Sequence, residues 1–174
     1  MTVTLVLGGA RSGKSNFAEG LVEATAHPIY LATAQAWDGE MTDRIREHRA
    51  RRGERWTTIE EPLDLAASLA RAARPDGAVL VDCLTLWLSN LMGADSDIAQ
   101  ETRRLVDALD GLAGPVVFVS NEVGLGIVPD NALARAFRDH AGRLHQAVAA
   151  RAQRVYFVVA GIPMTVKDEL SNGR

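Results

Sequence analysis

The 174-residue sequence contains a single cysteine, Cys83. One thiol excludes an internal disulfide framework and any site built from several thiolates, and it is the usage expected in a reducing cytoplasm. Aromatic residues make up only 5% of the chain, and the lysines are two, Lys14 and Lys167. Lysine plus arginine (19) falls just short of aspartate plus glutamate (22), giving a net charge of −3. That balance argues against a surface made throughout for nucleic acid. No apolar run approaches the roughly 18 residues of a membrane span; residues 78–88 come nearest and are broken by Asp82. Met1 to Leu7 is too short and uncharged for a secretory signal. Lys167-Asp168-Glu169-Leu170 is internal, so it is not an ER-retention address. Internal repeats, low-complexity tracts and linkers are also missing. The expectation is one cytoplasmic domain over residues 1–174, with 47% hydrophobic residues to form its core.

Short apolar runs alternate with longer amphipathic stretches. Strands are expected at Val3–Leu7, Pro28–Thr33, Trp56–Ile59, Ala78–Val81, Pro115–Val119 and Val155–Val159. Several are apolar at consecutive positions, as strands covered on both faces require. Helices are expected near 14–25, 38–53, 62–74, 97–112 and 131–152. In the fourth, Ile98, Thr102, Leu105, Leu109 and Leu112 recur at steps of four and three. Leu133, Phe137, Ala141, Leu144 and Val148 do the same in the fifth. This alternation predicts a parallel α/β sheet with right-handed crossovers, whose ligands sit beyond the carboxyl ends of the strands.

The first strand runs directly into Gly8-Gly9-Ala10-Arg11-Ser12-Gly13-Lys14-Ser15, which satisfies G-x-x-x-x-G-K-[ST]. Gly8 and Gly13 are expected to take backbone angles closed to other residues, so that successive N–H groups converge on phosphate oxygens. A helix starting near Lys14 adds its N-terminal dipole. Lys14 would neutralise the β- and γ-phosphates, and the Ser15 hydroxyl would ligate Mg²⁺. From the chain's own composition, the four fixed positions would match by accident in roughly one such sequence in 700. The fold class expected is therefore an α/β P-loop NTPase (RecA-like), a three-layer sandwich with a mostly parallel central sheet.

Asp82 closes the apolar run Ala78-Val79-Leu80-Val81. A carboxylate at the end of such a strand is the usual partner of a phosphate loop, holding Mg²⁺ directly or through water; the alternative is a cap for the next helix. Cys83 beside it reads as a small buried residue. Between Arg44 and Arg55 lie six arginines. They fit a solvated helix face with pairs such as Glu40–Arg44 and Glu47–Arg51. Met41, Ile45 and His48, however, fall on one apolar stripe, which turns His48 inward. A neutral imidazole is a competent nucleophile, and neighbouring arginines both disfavour its protonation and neutralise a phosphate it attacks; the competing role is a core-edge histidine. His27, in a loop before Pro28, and His140 and His145, on the long fifth helix, look ordinary. Ser120-Asn121-Glu122 follows the fifth strand, and Asn121 or Glu122 stands either near substrate or within a turn shaped by Gly124 and Gly126.

These residues together resemble one family. The matches are 8–15, Tyr30-Leu31-Ala32-Thr33-Ala34, Glu40-Met41 with Arg44-Ile45 and His48-Arg49, 120–129, and Ala134 to Asp139 with Ala141-Gly142-Arg143. The sequence is similar to the bifunctional adenosylcobinamide kinase / adenosylcobinamide-phosphate guanylyltransferase family of cobalamin biosynthesis, over nearly the whole chain to about Pro163. Asn121-Glu122-Val123-Gly124 with Gly126-Ile127-Val128-Pro129 is far more specific to it than the phosphate loop. The resemblance implies that ATP or GTP phosphorylates the aminopropanol hydroxyl of adenosylcobinamide. GTP then donates GMP to that phosphate through a guanylyl-histidine, releasing pyrophosphate. It assigns the guanylylated position to His48; an adjacent histidine of some relatives is Glu47 here. The nucleotide-contacting positions it implies are Gly8, Gly9, Ala10, Arg11, Ser12, Gly13, Lys14 and Ser15, then Ala32, Thr33 and Ala34, then Arg49, Ala50, Arg51 and Arg52, with Glu60 and Asp82. It also implies a homotrimer, and it gives the tail after Pro163 no role.

Two other readings compete. A small P-loop nucleoside or nucleotide kinase would use the same loop without covalent chemistry. A recombinase-type switch would couple hydrolysis to a partner, and stimulation of hydrolysis by nucleic acid would mark it; the arginine segment alone has the charge for a phosphate backbone.

Overall fold

Short runs of β-branched and aliphatic residues pair into one seven-stranded sheet in the computed structural model, which describes residues 2–34, 53 and 55–171. The strands are β1 (Val3–Gly8), β2 (His27–Ala32), β3 (Thr57–Glu60), β4 (Gly77–Asp82), β5 (Val116–Asn121), β6 (Arg154–Val159) and β7 (Ile162–Asp168). Their order is β3-β2-β4-β5-β1-β6-β7. Every neighbouring pair is parallel except β6–β7. The described helices are α1 (Lys14–Glu23), α2 (Leu65–Ala72), α3 (Leu84–Gly93), α4 (Ile98–Leu109) and α5 (Ala132–Arg151).

Alternation along each strand sends side chains to two cores. On one face Leu5, Leu31, Val79, Val81 and Phe118 pack with Leu69, Trp87, Leu105 and Leu144 of α2 to α5. On the other, Val6, Leu80, Val117 and Val119 pack with Ala18 and Val22 of α1. Each fully buried large side chain contributes about 1.5–3 kcal/mol of transfer free energy, so the sheet must be covered on both faces. That is the three-layer arrangement expected.

The differences from expectation are local. The helix expected over 38–53 falls outside the described residues apart from Gly53. The helix expected over 62–74 contracts to α2, because Glu61 and Asp64 shape its entry: the Glu61 carboxylate accepts the N–H groups of Leu63 and Asp64, and Asp64 caps Ala67 N. In helix α3 the buried Leu84, Trp87, Leu88 and Leu91 are joined by Leu86 and Met92, so the apolar stripe is blurred, and only Asp82 and Cys83 separate it from the preceding apolar strand. His27 is the first residue of β2 rather than part of a loop, and its Nε2 lies 3.3 Å from Asp76. Leu133, the first residue of the α5 stripe, is exposed. Strand β7 gives the tail after Pro163 a place, as the antiparallel edge of the sheet.

Candidate active site

Parallel pairing brings the carboxyl ends of β1, β4 and β5 to one edge. Gly8 is level with Asn121, and Asp82 with Val119. The loop expected to hold phosphates leaves β1 at that edge and enters α1 at Lys14. Gly13 has φ 93°, a left-handed conformation that glycine adopts at little cost. Gly8 corrects the expectation, since a tight approach rather than a positive φ demands glycine there. A Cβ at Gly8 would lie 2.5 Å from Ser12 Oγ and 2.7 Å from the Val158 carbonyl. Arg11 takes the second left-handed conformation of the loop, with φ 54°.

The loop is closed by one internal bond and braced from two sides. Glu122 N donates to Gly8 O at 3.0 Å, Ser12 N to Gly9 O at 3.3 Å, and Gly161 N to Ser12 O at 2.7 Å. The last bond comes from the two-residue β6–β7 turn, where Ala160 and Gly161 both have positive φ. Lys14 is only 8% exposed, with Nζ donating to Gly9 O at 3.1 Å. Ser12 Oγ is buried with no hydrogen-bond partner among the described residues. An orphaned hydroxyl, a folded-back ammonium and a helix N-terminus converging on one loop suit an anionic phosphate chain.

Asp82 does not cap α3; Cys83 occupies that position, without a side-chain cap. The Asp82 carboxylate instead accepts the Tyr30 hydroxyl at 3.1 Å. Ser15 lies in the first turn of α1, half-buried. A hydroxyl and a carboxylate on adjoining elements are a donor set that Mg²⁺ accepts, its remaining positions taken by water and phosphate oxygens. Cys83 is buried as expected, and burial with the nearby Asp82 charge pushes its thiol up to about 11. It is no nucleophile at neutral pH.

The residues after β2 divide. Ala32 and Thr33 are buried and Ala34 is half-buried. The Thr33 hydroxyl is committed to the backbone of one residue, accepting Cys83 N at 2.9 Å and donating to Cys83 O at 2.8 Å. Asn90 locks the same turn by donating to Thr33 O at 2.7 Å and Pro62 O at 3.0 Å. Glu60 is exposed at the end of β3, level with Ala32. His48, Arg49, Ala50, Arg51 and Arg52 lie outside the described residues, as do Met41 and Ile45. Arg55, the last of the six arginines, donates to Glu23 O and Thr25 O at the far end of α1.

His145 is the residue that the sequence reading passed over. It is buried, with Nε2 2.7 Å from Ser120 Oγ and Nδ1 4.0 Å from Glu122 Oε2. Burial lowers its pKa below the usual value, against a smaller opposing pull from the Glu122 carboxylate. The signal was in the spacing: Ala141, Leu144, His145 and Val148 stand at i, i+3, i+4 and i+7, the inward face of a helix.

Comparison with known proteins decides the family. Residues 4–166 match the family described as cobinamide kinase / cobinamide phosphate guanyltransferase, CobU. The chain belongs to that family. A CobU-family relative, the bifunctional adenosylcobalamin biosynthesis protein CobP of Pseudomonas aeruginosa, is 53% identical over 168 residues, covering 95% of this chain and 97% of that protein. The bifunctional adenosylcobalamin biosynthesis protein CobU of Escherichia coli is 42% identical over 178 residues, covering 94% and 98%. Among solved structures, the RadB recombinase superposes with a TM-score of 0.54 at 17% identity, over 90% of this chain and 73% of that one. That likeness shows the fold alone, a RecA-like P-loop arrangement. As a CobU-family member the chain is a bifunctional kinase and guanylyltransferase of adenosylcobalamin biosynthesis, acting on cobinamide and cobinamide phosphate. Among the described residues no helix is long and apolar enough to cross a membrane.

Proposed function

We propose that one triphosphate site serves both reactions, which differ in the phosphorus attacked. In the kinase reaction the aminopropanol hydroxyl of adenosylcobinamide attacks the γ-phosphorus of ATP or GTP. In the second, His48 attacks the α-phosphorus of GTP, pyrophosphate leaves, and the phosphate of the first product takes GMP from the histidine. The observation that carries this reading is the 8–15 loop, with its buried Lys14 and orphaned Ser12 hydroxyl, set at the strand edge shared with Asp82. The main chain of the loop and Lys14 would hold the phosphates in either reaction. Ser15 and Asp82 would hold Mg²⁺, which when bound neutralises charge on the bridging oxygens. Arg49, Arg51 and Arg52 would meet the α-phosphate or its leaving group, with Ala50 and Glu60 beside the nucleotide. His48 falls in sequence between Ala34 at this edge and Arg55 against α1, which supports its access to the site.

Paired assays test the reading. His48→Ala is expected to lose acid-labile label from α-labelled GTP while phosphorylation of adenosylcobinamide persists; surviving label removes His48 from the mechanism. Lys14→Ala is expected to lower both reactions by about 10²-fold or more. We also propose that the chain is one cytoplasmic nucleotide-binding domain that works as a homotrimer. Leu125 and Ile127 are 81% and 97% exposed, an apolar surface in keeping with self-association. Sedimentation equilibrium at three times the chain mass is the expected outcome, and a monomer would refute it.

A further inference from the structure

We propose that Glu122 accepts the substrate's hydroxyl proton in the kinase reaction, that His145 and Ser120 hold it in position, and that guanylyl transfer does not need it. The proposal rests on the reading that the γ-phosphate lies in the 8–15 loop. Four of the described carboxylates end strands or directly follow them at this edge: Glu60 at the end of β3 with Glu61 after it, Asp82 at the end of β4, and Glu122 after β5. Strand order separates them. From β1 outward the sheet runs β5, β4, β2, β3, so Glu122 leaves the strand beside the loop and Glu60 the most distant one. Asp82 already receives the Tyr30 hydroxyl and is the carboxylate suited to the metal. Glu122 N is bonded to Gly8 O at 3.0 Å, which fixes its backbone to the first residue of the loop.

The side chain has neighbours of its own. One carboxylate oxygen accepts Gly124 N; the other faces His145 Nδ1 at 4.0 Å. The far side of that ring meets Ser120 Oγ at 2.7 Å. Ser120 and His145 are buried, whereas the Glu122 side chain keeps 21% of its surface exposed. Serine, histidine and glutamate in a row suggest a nucleophile, a base and an orienting acid. Burial rules that out, because a wholly enclosed Ser120 hydroxyl cannot meet a corrinoid. The open end of the row is the carboxylate, so the functional order is reversed. A neutral imidazole carrying its proton on Nδ1 accepts the Ser120 hydroxyl at Nε2 and turns an N–H toward Glu122. Burial favours that neutral ring.

The chemistry explains why one reaction needs this group and the other does not. In the kinase step the hydroxyl oxygen forms a bond to the γ-phosphorus and the bond to the β–γ bridging oxygen breaks. The electron pair leaves with the nucleoside diphosphate, and the hydroxyl proton passes to the Glu122 carboxylate and then to water. In guanylyl transfer the attacking group is a phosphate monoester, whose second pKa is about 6. At pH 7.5 it is already mostly dianionic and has no proton to give up.

Glu122→Gln tests this, since the amide oxygen still accepts Gly124 N. Phosphorylation of adenosylcobinamide by ATP and transfer of GMP from GTP to supplied adenosylcobinamide phosphate are measured side by side. The kinase kcat is expected to fall by about 10²-fold or more. The KM for ATP and the rate of guanylyl transfer should each stay within about threefold, the range in which binding and fold are unaffected. A kinase loss below about tenfold, or a parallel fall in both reactions, overturns the proposal. His145→Gln and His145→Phe, read the same way, are expected to lower the kinase kcat without raising KM. Each should add nothing when combined with Glu122→Gln, because His145 acts through Glu122; additive losses overturn its positioning role. Lys14→Ala in the same assays separates the two readings. If it leaves both reactions intact the shared triphosphate site fails, whereas an unimpaired Glu122→Gln kinase defeats only the proton-acceptor role.

Discussion

One added carbon distinguishes the two glycines that open the phosphate loop. At Gly8 a Cβ meets the Val158 carbonyl at 2.7 Å, and a backbone oxygen of a strand paired on both sides cannot readily step aside. At Gly9 the same atom has no neighbour within 4 Å and needs no positive φ. Gly8→Ala is therefore expected to cost about 1–3 kcal/mol in stability by overpacking and to weaken ATP binding at least about tenfold, since the loop must shift as a unit. Gly9→Ala is expected to change either quantity little. Thermal unfolding and calorimetric titration with ATP check the pair, and equal effects at both positions would remove the steric argument. The loop itself was legible in the sequence because its residues act through local backbone geometry, which spacing encodes. Asp82 was legible because an apolar strand delivered it. The Ser120–His145 contact was not, because it depends on which face of α5 meets the end of β5, a tertiary fact that neither segment carries alone.

The β6–β7 hairpin shows the same limit for whole elements. Ile162, Met164 and Val166 alternate with Pro163, Thr165 and Lys167, but the apolar members are exposed on this edge strand, and with a proline inside it the stretch read as a tail. Helix α3 was hidden for another reason: Leu84, Trp87, Leu88 and Leu91 are buried at helical spacing, but Leu86 and Met92 fill in the stripe, and only Asp82 and Cys83 separate the helix from the apolar strand before it. Strands β1, β2, β4, β5 and β6 were readable within a residue or two because each is a short β-branched run covered on both faces. The hairpin is more than an edge. Its turn donates Gly161 N to Ser12 O at 2.7 Å, and Gly161 Cα would lie 3.0 Å from a Cβ on Gly13. Gly161 has φ 79° with open space around it, so an alanine there meets conformational strain rather than a clash. Gly161→Ala is expected to cost about 1–2 kcal/mol and to weaken ATP binding a few-fold, although Gly161 is remote in sequence from the loop. An unchanged ATP affinity alongside the lost stability would show that the turn does not brace the loop.

At the scale of the whole molecule, the buried histidine couples stability to acidity. His145 has its folded-state pKa pushed below the ordinary value of 6.5, first by burial and against a lesser pull from Glu122. Below pH 6.5 the unfolded chain therefore takes up a proton that the folded chain resists, and stability falls with pH from there toward the lowered value. Above 6.5 both states hold a neutral ring and this contribution is complete. Two described carboxylates with lowered values fall outside that window. Asp76 and Asp168 are held below 3.8, Asp76 with Arg74 and His27 beside it and Asp168 by bonds from Ser171 and Leu170, so their loss belongs to stronger acid. The melting temperature is thus expected to be level near neutrality and to decline once the pH drops below about 6.5. In His145→Gln, which removes the titrating ring, the decline should begin only where carboxylates protonate, and the neutral-pH melting temperature should fall because Ser120 loses its partner. Scanning calorimetry on both proteins between roughly pH 5 and 8 reads this directly. Parallel curves would mean that the acid sensitivity arises elsewhere and that His145 takes up its proton alike in the folded and unfolded protein.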